Sequence, residues 1–321
     1  MSGSTVDQLR GAWRHAQDYI ASRKKVFVVG CAKSGTTWLQ NLINGHPRMA
    51  MNGEGRFTWR MFPFIAQAFK AFNVDQAKFI GKEVTLLRDV DLVMCARMLF
   101  DIQLFRYAEV SGKSLGAIQV IGDKTPQHCL SIPLLHQIYP DAKFIHIIRD
   151  PRDAATSGWH HFGPDSQKPQ EEYLGYFIRD VWSQAVAAGR DAGKNIPANY
   201  LEVRYEDLHR EEAYQIRRCL EFLDVDASAE SVEICSKAGN FKERSGGRER
   251  GEEDPKGFYR RGVVADWMNH MSPEIGARLC EPVAALMLSC GYDPMAGYAP
   301  SVHLNDEVIE KLEGATRSEA A

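Results

Sequence analysis

"KKVFVVGCAKSGTTWLQ", Lys24 to Gln40, decides the fold. Its first part, "KVFVVG" from Lys25 to Gly30, is a β-branched and aromatic run without polar alternation, as a parallel strand buried on both faces requires. "TTWLQNLINGHP" then reads as a helix ending near Gly45 and Pro47. Between them lies a short loop carrying a lysine, a glycine and hydroxyl side chains. Free N–H groups at a helix start, hydroxyls and an ammonium together make an anion site. The spacing is not that of the triphosphate loop GxxxxGK[ST], whose lysine follows the second glycine. Here Thr36 fills that slot and the lysine stands at 33. Magnesium-coordinating chemistry is weakened by the change, while anion binding survives. A strand-to-helix turn without any ligand would use the same letters.

Working outward, strands and helices alternate. "FTWRMFPFIAQAFKAF" is helical despite Pro63, and its apolar stretch from Phe57 to Phe72, with Trp59, Met61 and Phe62, either lines a cleft or is buried; burial is favoured. Asp89 to Val110 has helical spacing and few breakers. "LGAIQVIGDKTP" is a strand running into a loop with Asp123, Lys124 and Thr125, followed by a short helix, "QHCLSIPLLHQIY". "AKFIHIIRD" is a second strong strand, and "PRDAATSGWHHF" opens a helix with Pro151 in its first turn. "EYLGYFIRDVWSQAVAAGR" is helical, "NYLEVRYEDL" supplies a strand near Tyr200 to Val203, and helices follow to Leu223 and again from Pro273 to Cys290. The alternation specifies an α/β fold: three layers, with a central, mainly parallel sheet between helices. The chain reads as one domain over 1–321, with a leading amphipathic helix over about 5–22, a core over about 24–290 and a frayed tail over about 308–321. "NFKERSGGRERGEEDPKGFYRRG" reads as a solvated, charged loop.

The 321 residues carry a formal net charge of -3, 25% charged and 44% hydrophobic residues. That balance, with no basic–aromatic stripe, argues against a nucleic-acid module, so any anionic ligand must be held locally. No stretch has signal-peptide or membrane-span character, and a cytoplasmic protein is expected. The seven cysteines lack CxxC pairs, which favours free thiols over zinc or disulfides. Three consecutive acids in "GEEDP" cannot readily converge on one ion, and no metal is expected.

"GCAKSGTTWL" resembles the 5′-phosphosulfate-binding loop of sulfotransferases, enzymes that use 3′-phosphoadenosine 5′-phosphosulfate (PAPS). The resemblance implies that Lys33 contacts the phosphosulfate and that Ser34, Gly35, Thr36 and Thr37 hold its 5′-phosphate. Trp38 is then expected near the nucleotide or in its supporting core. "FIHIIRDPRDAATS" places Arg149 at a strand end and Ser157 on the next helix, where a guanidinium fork and a hydroxyl can share one phosphate. This segment resembles the family's 3′-phosphate motif. Arg152 and Asp153, in the same segment, read as helix-surface pairs. "FYRRGVVADW" resembles the family's closing motif, which implies that Arg260, Arg261 and Gly262 bind the same phosphate, with Trp267 ending the motif. "VRYEDL" resembles the segment whose tyrosine, here Tyr205, lies near the adenine, and Phe241 is placed to stack on the purine. Many cytosolic members have a threonine two residues before that aromatic; this chain has Gly239. The likeness runs from Lys25 to Trp267.

The implied chemistry moves SO₃ from a phosphate to an acceptor hydroxyl. Lys33 is the first candidate to neutralise the leaving phosphate, with Lys124 beside the transferring group. Cytosolic members carry a catalytic histidine in "KTH", whereas this chain reads Lys124, Thr125, Pro126, with His128 nearby. "GEGR" resembles the glutamate–x–arginine pattern of the tyrosylprotein branch, so Glu54 is assigned as general base, with Arg56 orienting it or contacting sulfate; the alternative is a solvated turn carboxylate. The expected acceptor is a small molecule, sugar or lipid hydroxyl rather than a protein. Competing readings are a P-loop nucleotide kinase, with Asp123 as its magnesium ligand, and a non-catalytic nucleotide-binding protein.

Overall fold

A computed structural model describes residues 11 and 14–295, except 84 and 255–259. Five strands, β1 (Lys24–Gly30), β2 (Met49–Gly53), β3 (Val120–Lys124), β4 (Lys143–Ile148) and β5 (Tyr200–Arg204), form one sheet in the order β2-β3-β1-β4-β5. Every neighbouring pair is parallel. The helices that frame it include α1 (Thr36–Asn44), α2 (Phe62–Ile80), α3 (Asp89–Val110), α4 (Pro151–Phe162), α5 (Ser183–Asn195), α6 (Tyr205–Arg210), α7 (Glu212–Phe222) and α8 (Ala229–Ala238).

Alternation along β1 explains the three layers. Successive side chains of a strand point to opposite faces, and both faces of this one are apolar. Phe27 and Val29 join a cluster with Phe100, Phe144 and Trp182 on one side. Val26 and Val28 join Leu39, Leu42 and Ile43 of α1, with Ile216 of α7 and Val232 of α8, on the other. Pairing to β3 stabilises β2, whose short "MAMNG" has little strand character of its own.

Of the leading helix, residues 14–21 are helical. It docks on the chain's own core: Ala16, Tyr19 and Ile20 are buried, and the Tyr19 ring meets Phe105 edge-on at 5.2 Å. The rest of its expected span, 5–10, 12 and 13, and the expected tail at 308–321 lie outside the described residues. Among the described residues no helix is long and apolar enough to cross a membrane.

One expectation is corrected. The stretch Phe57 to Phe72 is not a buried segment: Phe57 is in the core, but α2 buries none of its residues and leaves Phe64 65% and Phe79 88% exposed. The apolar letters of α2 carry no information about what covers them: Phe62 and Ile65 pack partly against the core, while Phe64 and Phe79 stay exposed among the described residues.

Connectivity fixes where a ligand can sit. From β1 the chain moves to β2 at one edge and returns through β3, while β4 lies on the opposite side of β1. Such a reversal of strand order leaves a crevice beyond the carboxyl ends of the central strands. The loop after β1 opens into it.

Candidate active site

A cleft of about 480 Å³ occupies that crevice. Residues following the carboxyl end of every strand line it: Lys33 after β1, Glu54 after β2, Pro126 after β3, Arg149 after β4 and Tyr205 after β5. No single segment builds this site; the sheet gathers it.

After β1 the backbone turns left-handed at both Lys33 (φ 68) and Gly35 (φ 93). Gly35 is required twice over, because a Cβ there would also stand 2.6 Å from the Tyr205 ring. The turn delivers the chain into α1 with the first-turn amides of that helix lacking an intrahelical acceptor. Lys33, Gly35, Thr36, Thr37 and Trp38 all line the cleft. Ser34 does not: its side chain is fully buried beneath the loop, with no hydrogen-bond partner for its hydroxyl in the described protein. Burial, together with the charges of Arg149, Arg260 and Lys124, lowers the Lys33 ammonium to about 8.

Facing the loop is a wall of arginines. Arg149 lies almost fully buried, stacked 4.2 Å over the Tyr205 ring, and donates to the carbonyls of Lys33 at 3.2 Å and Val263 at 3.1 Å. Ser157, Arg260, Arg261 and Gly262 line the same wall. Two buried carboxylates hold it in place. Asp153 accepts from the amides of Ala265 and Trp267 at 2.8 and 2.9 Å and lies 3.5 Å from Arg149. Asp266 is shared by Arg260 and Arg261, the latter at 2.5 Å. Asp153 was expected on a helix surface, paired with Arg152; instead both are buried, and Arg152 pairs with Asp150 at 2.7 Å while stacking on Trp267. Among the described residues, six cationic side chains line the cleft (Lys33, Arg56, Arg149, Arg250, Arg260, Arg261) against two carboxylates, Glu54 and Asp266. The Nε atoms of Arg149 and Arg260 are buried without a partner in the described protein. Such a surplus suits a ligand bearing several negative charges.

At the other end, Glu54 accepts from Lys124 Nζ at 3.0 Å and lies 3.7 Å from Arg56. Lys124 is buried behind Glu54 and meets the cleft through that carboxylate. The loop carrying Glu54 is braced by a residue that the sequence pointed to only as a metal ligand. Asp123, fully buried, accepts from the Gly55 amide at 2.7 Å and from the Thr125 hydroxyl at 2.7 Å, and Thr125 in turn accepts from the Arg56 amide. A Cβ on Gly55 would stand 2.7 Å from the Asp123 carboxylate, so the close approach needs glycine. Burial lifts Asp123 to about 6, against the pull of Thr125, Gly55 and Lys124. His128 is buried beside this brace, stacked on Phe57 and 3.5 Å from Asp123; it does not line the cleft, and burial lowers it to about 3. His161, Phe162 and Trp59 complete the outer lining.

The aromatic residues converge between these ends. Trp38 meets Tyr205 edge-on at 5.4 Å, and Tyr205, Phe241 and Gly239 also line the cleft. A Cβ on Gly239 would collide with Leu42 of α1 at 2.3 Å, so a threonine has no room there and any contact is made by backbone. Sequence reasoning missed Arg250, which approaches Trp38 and Phe241 from the charged loop. Its segment, "GGRERGEED", carries no signal beyond charge.

Comparison with known proteins agrees with this architecture. The sequence profile of the Sulfotransferase family matches residues 25–229, well over half of the chain. Cytosolic sulfotransferase 11 of Arabidopsis thaliana is 26% identical over 276 residues, 78% of this chain and 69% of that protein. Cytosolic sulfotransferase 1 of the same plant is 26% identical over 155 residues, 41% of this chain and 46% of that protein. The matches span about half the length of several such curated relatives. Among solved structures, mouse sulfotransferase SULT7A1 complexed with PAP aligns with a TM-score of 0.51 at 17% identity, covering 85% of this chain and 88% of that one, which shows a shared fold.

The arginine clamp has a pH signature. Burial pushes the Asp266 carboxyl up, but hydrogen bonds from Arg260 and Asn269 and the charges of Arg260 and Arg261 outweigh it and hold the group at about 2. A depressed folded-state value stabilises above the unfolded value near 3.8 and is lost as pH falls through the folded one. The gap in urea midpoint between the parent protein and Asp266→Asn is therefore widest above about pH 5 and closes towards about pH 2. A gap independent of pH would show that the clamp does not act through charge.

Proposed function

This chain is a member of the sulfotransferase family, and from that premise we propose that it transfers a sulfuryl group from PAPS to an acceptor hydroxyl, with residues 1–321 acting as one catalytic domain. The observation that carries the reading is the single cleft in which the Lys33 loop, the arginine wall and Glu54 face one another. When bound, the donor supplies SO₃: its S–O bond to the 5′-phosphate breaks as the acceptor oxygen bonds to sulfur. Lys33, Gly35, Thr36 and Thr37 are read as holders of the 5′ end, with Ser34 shaping the loop from beneath. Arg149, Ser157, Arg260, Arg261 and Gly262 are read as holders of the 3′-phosphate. The adenine is assigned to the space between Trp38 and Phe241, next to Tyr205.

Glu54 takes the acceptor's proton. Its pairing with Lys124 at 3.0 Å orients the carboxylate. As the proton arrives, Glu54 loses its charge, and the Lys124 ammonium is freed to face the oxygens of the transferring group. Lys33 neutralises charge developing on the leaving phosphate, where a preorganised cation in a partly dry site is most effective. The Asp123–Thr125 brace fixes the Glu54 loop and takes no proton itself. His128, buried and outside the cleft, is a weaker candidate for base than Glu54.

Trp59, Phe162 and Pro126 around Glu54 support an acceptor with an apolar body, a small-molecule or lipid alcohol. Cytosolic relatives and the lack of a spanning helix among the described residues support a cytoplasmic enzyme. The kinase alternative is weakened because both Asp123 oxygens are engaged within the protein.

A panel of alkyl, aryl and sugar hydroxyls assayed with labelled PAPS tests the reading. With a productive acceptor, Glu54→Gln lowers kcat by about 10²–10⁴-fold and leaves the Kd for 3′-phosphoadenosine 5′-phosphate (PAP) within about threefold. Unchanged turnover would remove Glu54 from the mechanism. A second expectation concerns pH. Lys33, at about 8 in the free protein, is favoured in its charged form by a bound phosphate, so binding takes up a proton above that value. PAP affinity measured by calorimetry should fall by up to about tenfold per unit above about pH 8, and Lys33→Arg should abolish that dependence.

A further inference from the structure

Arg250 sits where a flat ligand should. Its guanidinium carbon lies 4.7 Å from the centre of the Trp38 ring and 5.6 Å from that of Phe241. Nη1 donates to the Gly262 carbonyl at 3.1 Å, and Nη2 faces Glu212 at 3.9 Å. A guanidinium is planar and weakly hydrated, and it stacks on aromatic faces much as a nucleobase does. Both rings and Arg250 itself line the cleft.

We propose that Arg250 is an internal competitor of the nucleobase, filling the space between Trp38 and Phe241 until the donor's adenine displaces it. The inference rests on the reading above that the adenine lies between these two rings. The hold on Arg250 is light. One neutral carbonyl and one long ion pair anchor it, beside two cation–π contacts. Left-handed glycines at 246, 247 and 251 bracket it, where the backbone can swing without a Cβ clash. By contrast, Arg149, Arg260 and Arg261 are fixed by the buried carboxylates Asp153 and Asp266. Arg250, the arginine that must move, faces instead the part-exposed Glu212 at 3.9 Å.

Competition of this kind lowers apparent affinity by the fraction of molecules in which the space is filled. It penalises ligands that bring a base and spares those that bring only phosphates. The test compares PAP with its base-free analogue, 1-deoxyribose 3,5-bisphosphate, by calorimetry on the parent protein, Arg250→Ala and Phe241→Leu. Removing the arginine should tighten PAP by about three- to tenfold, the range set by its cation–π contacts, and leave the base-free ligand unchanged. Equal weakening of both ligands by Arg250→Ala would make Arg250 a phosphate ligand and overturn the proposal. Weakening or no change of PAP alone would overturn it too, the first by making Arg250 a stacking partner of the bound adenine. Phe241→Leu reports on the underlying reading: it should weaken PAP and spare the base-free ligand. If it does not, the adenine lies elsewhere, whatever Arg250 does.

Discussion

Like charges confined in a cleft repel, and this protein's architecture depends on how that repulsion is contained. A chain of net charge -3 concentrates six cations around one crevice. Asp153 and Asp266 make this possible. Each is buried and pairs with arginines close by in sequence, Asp153 with Arg149 and Asp266 with Arg260 and Arg261, while Asp153 also accepts the amides of Ala265 and Trp267 and so joins the two segments across more than a hundred residues. Unpaired, these cations would be costly to bury, and paired they remain turned toward the cleft. Burial first, and then the charges of Arg149, Arg260 and Lys124, lower the proton affinity of Lys33.

The sheet converts that local chemistry into geometry. Parallel strands deliver five loops to one end, and the reversal of order around β1 leaves room between them. The register β2 to β3 matters most for the reaction, since it sets Gly53 beside Lys124 and thereby Glu54 within 3.0 Å of its partner. Asp123 and Thr125 complete the alignment, holding the Glu54 loop to the end of β3 by accepting the amides of Gly55 and Arg56 respectively. These contacts are made in the folded chain alone, so the placing of the Glu54 carboxylate and that of the cationic loop are consequences of the same strand pairing.

Much of this was legible in the letters. "KVFVVG" and "AKFIHIIRD" are strands buried on both faces, and apolar runs of that kind have few other uses. Lys33 and Arg149 could be singled out because each follows a strand, Ser157 because it sits on the helix after Arg149, and Arg261 through the family resemblance of its segment. What escaped depends on tertiary contact. Asp153 read as a surface residue because helical periodicity says nothing of a distant amide pair that needs an acceptor. Ser34 looks equivalent to Thr36 in sequence, yet the left-handed turns at 33 and 35 rotate it beneath the loop. The apolar residues of α2 suggested burial, but burial requires a partner on every apolar side, and the described chain covers Phe62 and Ile65 only in part and leaves Phe64 and Phe79 exposed. Arg250 was indistinguishable from its charged neighbours until the fold brought it over two rings.

The central claim is that one doubly phosphorylated nucleotide spans the cleft from the Lys33 loop to the arginine wall. A crystal structure of the protein with 3′-phosphoadenosine 5′-phosphate tests it most directly. The account requires the 5′-phosphate within hydrogen-bond distance of Lys33 and the amides of Gly35 to Thr37, and the 3′-phosphate on Arg149, Ser157 and Arg261. A nucleotide bound with Arg149 and Arg261 still turned to protein carbonyls and carboxylates alone, its 3′-phosphate in solvent, would contradict it.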